Sequence, residues 1–140
     1  MRPIILLIVC LSIMSASCKK GDKVIAFGPD KVYYVSPVEE ETALKVGTFL
    51  QQYKYFVGNG AVVQLVEDSV LTARFATHEG IEKDAYIIDG FIDMQLEMSV
   101  SIFDGAPVNI QLCDSTLTTK GSISFEDARA WIEGKAYVEK

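Results

Sequence analysis

The chain has 140 residues and a net charge of −6. That length supplies one ordinary domain. The acidic excess, with 13 Lys and Arg scattered along the chain, argues against a phosphate-gripping nucleic-acid binder and against a polybasic hold on anionic lipid heads.

At the N-terminus Arg2 precedes residues 4–14, an apolar run interrupted only by Ser12. Such a run reads as the apolar region of an export signal and is too short to span a bilayer as a helix. Ser15-Ala16-Ser17 then leads to Cys18. This stretch resembles the bacterial lipobox: Ala16 and Ser17 fit it, and Ser15 stands where Leu is usual. The resemblance implies a bacterial lipoprotein. Signal residues 1–17 are removed and Cys18 carries acyl chains such as palmitate, which hold the chain to a membrane of the cell envelope. Ser15-Ala16-Ser17 also suits ordinary signal cleavage, which would leave a secreted or periplasmic soluble protein. With Cys10 inside the signal and Cys18 acylated, Cys113 has no partner for an internal disulfide; without the lipid, Cys18 and Cys113 are free to pair.

Residues 18–30 read as a tether with room for a short strand over 24–27, ended by Gly28-Pro29-Asp30. Residues 31–35 are rich in β-branched and aromatic side chains and predict a strand. Ser36, Pro37 and Glu39 predict a helix start, with Ser36 as cap, Pro37 in the first turn and Glu39 closing a capping box. Ala43, Val46, Leu50 and Tyr53 recur at helical spacing towards an end near Lys54. Residues 61–66 and 70–76 predict a hairpin around Glu67-Asp68-Ser69. A second helix is expected over residues 83–103, with a stripe of Ala85, Ile88, Ile92, Leu96, Val100 and Phe103. Residues 107–113 predict a fourth strand.

The resulting order over residues 31–114 is β-α-β-β-α-β, which predicts an α+β, ferredoxin-like domain: an antiparallel sheet with two helices on one face. Its inward set is Val63, Leu65, Leu71, Ala73, Phe75, Val108, Ile110 and Leu112. Residues 115–140 form a C-terminal extension with a helix around Ala128, Trp131 and Ile132. Residues 47–114 also resemble a domain of uncharacterised bacterial envelope proteins. The likeness rests on Gly47-Thr48-Phe49-Leu50, the pair Tyr55-Phe56, the strand Val63-Gln64-Leu65, the turn Asp104-Gly105-Ala106-Pro107-Val108 and the ending Gln111-Leu112-Cys113-Asp114. That resemblance implies a fold and carries no activity.

His78, with Glu79, Glu82 and Asp84, forms an acidic loop whose spacing matches no metal motif, so it reads as solvated charge. Cys113 would need a base, and the sole histidine lies on a different loop. Asp89, Asp93 and Glu97 stand at four-residue spacing on the second helix and read as a solvated face. Gly58-Asn59-Gly60 follows a helix instead of opening one, which marks a turn and not a phosphate loop. The outward residues of the third strand include no aromatic, which argues against base stacking on RNA.

What remains is the sheet face without helices. Its candidate interaction residues are Tyr33, Tyr34, Gln64, Arg74, Asn109, Gln111 and Cys113, one tyrosine of the pair facing outward. The tail is expected to cover that face and bury Phe125, Trp131 and Ile132. The expectation is therefore a non-enzymatic binding or interaction module, lipid-anchored through Cys18, with a protein partner in the envelope. No cofactor, metal or nucleic acid is called for. The alternatives are a small-ligand or metal-sensing module using the His78 loop, and an enzyme dependent on Cys113.

Overall fold

Three β-hairpins and three helices alternate along residues 22–138, the part that the computed structural model describes. The expected signal, residues 1–17, and Cys18 lie outside these residues. The first hairpin joins β1 (Lys23–Phe27) to β2 (Asp30–Tyr34). Its two-residue turn places Gly28 at φ 66°, a region that favours glycine and that the common hairpin turns use. Helix α1 (Glu40–Gln52) leads to the hairpin of β3 (Val62–Glu67) and β4 (Leu71–Ala76). Helix α2 (Ala85–Phe103) leads to β5 (Val108–Cys113) and β6 (Thr119–Ile123), and α3 (Phe125–Val138) follows.

All six strands lie in one sheet in chain order, β1-β2-β3-β4-β5-β6. Hairpin mates are antiparallel. The pairs β2–β3 and β4–β5, linked through α1 and α2, are parallel. The chain is thus three strand–strand–helix units laid side by side.

This overturns the ferredoxin-like expectation. In that arrangement the strand at residues 31–34 is central, flanked by those at 71–76 and 108–113. Here β2 pairs with β1 and β3, and β4 pairs directly with β5. A strand has only two edges. The two-residue turn at Gly28-Pro29 commits one edge of β2 to β1, so β2 can accept one further neighbour and not two. The β5–β6 hairpin restricts β5 in the same way. The sheet is therefore mixed, six-stranded, and carries three helices.

The core lies between the sheet and the helices. Val63, Leu65, Leu71, Ala73, Phe75, Val108, Ile110 and Leu112 are all buried there with Val32 and Ile123. They pack against Ala43, Val46 and Leu50 of α1, Phe91, Met94 and Met98 of α2, and Ala128 of α3. Each large apolar side chain in this layer contributes about 1.5–3 kcal/mol of transfer free energy.

Three local expectations are corrected, and the tyrosine pair is resolved. Ser36-Pro37 does not open α1; residues 35–38 form a turn closed by the Val38 N–H donating to the Val35 carbonyl at 2.9 Å, and α1 begins at Glu40 after Glu39, whose side chain makes no cap. Tyr34 faces the core and is buried. The inward stripe of α2 is Phe91, Ile92, Met94, Gln95, Met98 and Ser99, while Val100 is exposed. Gln95 belongs to that stripe because its Nε2 donates to the Val108 and Ile123 carbonyls at 2.8 and 2.9 Å, which makes burial of its amide tolerable. Finally, the helix of the tail does not lie on the open sheet face. Helix α3 packs beside α2, and the Trp131 indole donates to Asp89 Oδ1 at 2.9 Å.

One buried carboxylate ties the first parallel pair together. Asp30, only 1% exposed, opens β2. It accepts the N–H groups of Gly58, Gly60 and Ala61 at 2.8, 2.9 and 2.7 Å. Lys31 N–H then donates to the Ala61 carbonyl at 2.9 Å, which begins the β2–β3 ladder. An Asp30→Ala substitution strands three backbone donors and is expected to cost roughly 3–5 kcal/mol, read as a lowered urea midpoint with an unchanged slope.

Candidate functional site

The outward side chains of the sheet fall into a row that crosses every strand. Val24 pairs with Tyr33, Tyr33 with Gln64, Gln64 with Arg74, Arg74 with Gln111 and Gln111 with Ser122. The period-two alternation that buries Val63, Ala73 and Ile110 sends this row to the opposite face. Among the described residues no helix lies over it.

Arg74 is the centre of the row. Its Nε donates to Gln111 Oε1 at 2.9 Å and its Nη1 to Gln64 Oε1. Its Nη2 donates to the Leu117 carbonyl at 2.6 Å and to Thr119 Oγ1 at 3.2 Å. Gln64 passes the link on, its Nε2 donating to Asp22 Oδ2 at 3.0 Å. Arg74 thus spends its donors on neutral acceptors and works as a strut across β3, β4, β5 and the loop before β6.

That loop is built by Asp114. Its Oδ1 accepts the Thr116 N–H at 2.9 Å, the Thr116 hydroxyl at 2.6 Å and the Thr118 N–H at 3.0 Å. The Thr116 hydroxyl, then the Thr118 and Thr116 backbone N–H groups and Lys120, hold this carboxyl below the ordinary range. The loop folds back on the outer face and buries Leu117, and Cys113 is 1% exposed.

The seven expected interaction residues therefore separate. Tyr33, Gln64, Arg74 and Gln111 share the row. Asn109 stands one pair along, its Oδ1 accepting the Phe125 N–H at 2.9 Å, which fixes the start of α3. Cys113 is shut beneath the loop, and Tyr34 is on the other side of the sheet.

A cleft of about 510 Å³ opens at one end of the sheet, where β3 starts and β4 ends. Tyr55, Ile87 and Phe91 form its apolar wall, and Asn59, Thr77 and His78 stand on its rim. The Tyr55 ring meets Phe75 and Phe91 edge-on at centroid distances of 5.2 and 6.0 Å. Burial, and then the nearby Asp30 carboxylate, push the Tyr55 phenol up to about 12. Sequence reasoning noticed His78 and missed this cleft. The available signal was Tyr55-Phe56 directly before Gly58-Asn59-Gly60, an aromatic pair set against a tight turn.

Other expected groupings stay apart. The Thr77 N–H donates to the Cys113 carbonyl at 2.8 Å, yet the buried Cys113 thiol does not line the cleft that His78 borders. Asp84 caps α2, accepting the Tyr86 and Ile87 N–H groups. Among the described residues no three His, Cys, Asp or Glu gather to hold a metal ion. Asp93 and Glu97 line an open groove between α1 and α2 with Phe49, Tyr53 and Leu96.

A protein-family model, the AF_1994_N family N-terminal domain, matches residues 24–124. The chain belongs to the AF_1994_N family. The match runs from β1 through β6, so both parallel pairs and the outer row lie inside the AF_1994_N domain, and α3 begins just after it. That description names neither an activity nor an address. No curated protein and no solved structure matches the chain.

Two outcomes follow from this geometry. Replacing Arg74 by Met keeps the apolar stem and removes the strut; labelling of Cys113 by a thiol reagent, followed by peptide mass spectrometry, should accelerate about ten-fold for each ~1.4 kcal/mol of local stability lost. The second outcome concerns alkaline pH. Because the folded Tyr55 pKa is raised from 10.0 to about 12, its contribution is fully present below pH 10 and is lost as pH rises through about 12. Stability should fall by about 2–3 kcal/mol across that window, and Tyr55→Phe should remove that part of the decline in urea titrations at pH 9 and 11.5.

Proposed function

We propose that this protein is a non-enzymatic binding module of the bacterial cell envelope, held to a membrane by lipid on Cys18 and engaging a protein partner through its outer sheet face. The observation that carries this reading is the row Val24–Tyr33–Gln64–Arg74–Gln111 on a sheet face that no described helix covers. Val24 is 51% exposed, and Val62 and Val66 are half-buried beside the row. Apolar side chains around a rigid polar centre suit a wet protein–protein contact. The address rests on the N-terminal sequence, an apolar run followed by small residues and Cys18. Among the described residues no helix is long and apolar enough to cross a membrane, so lipid is the form of anchorage that this reading invokes.

The test places a photo-crosslinking residue at Val24 or Thr72 on the outer face and at Val100 on the helical face. Discrete adducts in envelope fractions from the first two positions alone are expected. Adducts from Val100 alone, or from none of the three, would discard the outer-face reading. Mass spectrometry of the purified N-terminus is expected to show an acylated Cys18, and an unmodified Cys18 would discard the lipid.

A further inference from the structure

We propose that the cleft at the sheet end is a binding site for a small uncharged ring compound that carries a hydrogen-bond acceptor. This goes beyond the outer-face reading and does not depend on it, because the cleft opens at the end of the strands and the row lies across their middle.

The position is one where mixed sheets hold ligands. Strands β4 and β5 are parallel, with Ala76 paired to Cys113 at their last residues. The cleft opens beyond the last residue of β4, and the chain leaving that strand runs along it on its way to α2. Crevices outside the carboxyl ends of parallel strands are where such sheets leave space, because the strands stop and the connections to the helices splay. The opposite wall is held firmly. It is the turn at Gly58–Ala61 whose N–H groups Asp30 binds, so this side of the cleft is formed in advance of any ligand.

The chemistry of the walls selects the ligand. Tyr55, Phe75 and Phe91 make a mutually edge-on aromatic cluster, and the Tyr55 and Phe91 members face the space. A ring can pack on them as a further member of the cluster. Among the described residues the Tyr55 hydroxyl has no hydrogen-bond partner. A phenol that stays protonated is a donor, so the ligand must offer an acceptor. Asn59 and Thr77 add polar contacts on the rim. The surroundings carry net negative charge: Asp30 lies behind Tyr55, and the segment after His78 sets Glu79, Glu82 and Asp84 against the one cation Lys83. An anion is disfavoured there, which leaves a neutral molecule.

Benzamide, a neutral ring with a carbonyl acceptor, is the probe, and benzoate is its charged counterpart. Each is titrated into the full-length isotope-labelled protein and followed by amide NMR. Benzamide is expected to give saturable shifts at Asn59, Thr77, His78 and Ile81, with millimolar affinity typical of a fragment, and benzoate is expected to bind more weakly. Tyr55→Phe should weaken benzamide about ten-fold for the loss of one hydrogen bond. Ala76→Leu, which fills the cleft from the strand side, should abolish binding while the rest of the spectrum is kept. The proposal is overturned by absence of saturation up to about 50 mM. It is equally overturned by shifts confined to the outer face or to the α1–α2 groove, by benzoate binding as tightly as benzamide, or by unchanged affinity in the two variants.

Discussion

The β2–β3 pairing depends on the Asp30 carboxylate and its three backbone donors. Parallel strands cannot be set in register by a tight turn, since a long crossover separates them. Between β2 and β3 that crossover is α1 and the segment after it. A buried acceptor at the first residue of β2 fixes where β3 starts. It does so by taking the N–H groups of Gly58, Gly60 and Ala61, which would otherwise be without partners at the end of the sheet. The positive φ of Gly58 and Gly60, 88° and 86°, lets that turn present its donors inward. From this register follow the alternation of β3, then of β4 through its hairpin, and then of β5 through its parallel ladder.

That chain of dependence is also what builds both candidate sites. The outer row is straight because three successive ladders bring Tyr33, Gln64, Arg74 and Gln111 opposite one another. Long polar side chains at adjacent positions on neighbouring strands reach each other, and the guanidinium becomes the common donor. The cleft uses the same anchor from the other side, since the turn held by Asp30 is one of its walls. A single carboxylate thus supports a rigid surface and a preformed space, and a change in β2–β3 register would move both.

Much of this was legible along the chain. Alternation in residues 61–66, 70–76 and 107–113 names the eight inward side chains, and with them Gln64, Arg74, Asn109 and Gln111 as outward. Other features were hidden by competing signals. Ser36, Pro37 and Glu39 offer good capping chemistry, but that segment is used for a turn leading to α1. Helix α2 has apolar residues on more than one side, because it touches α1, the sheet and α3, so the expected stripe shares Ile92 with the most buried side while Ile88, Leu96 and Phe103 pack half-buried at its margin. The true stripe contains Gln95, whose burial is explicable only once the Val108 and Ile123 carbonyls are seen beside it. The cleft was illegible because its lining comes from separate stretches of chain: residues 55–62, residues 76–81, Ile87 and Phe91 of α2, and Ser115.

Local physics determined the strands and their faces and the apolar side of α1. Period-two alternation, the glycine turns and the apolar spacing of α1 act over a few residues and are written in order. The sequence also carries the apolar run of residues 4–14 and the small residues before Cys18, a pattern read along the chain without reference to the fold. Tertiary structure decided which strands are neighbours, which side of α2 turns inward and where α3 lies. The reason is competition for edges: β2 has two, the Gly28-Pro29 hairpin takes one, and the remaining partner follows from what every other strand can also reach. No local pattern encodes the outcome of that competition, and so the six-stranded order and the outward row around Arg74 exist only at that level.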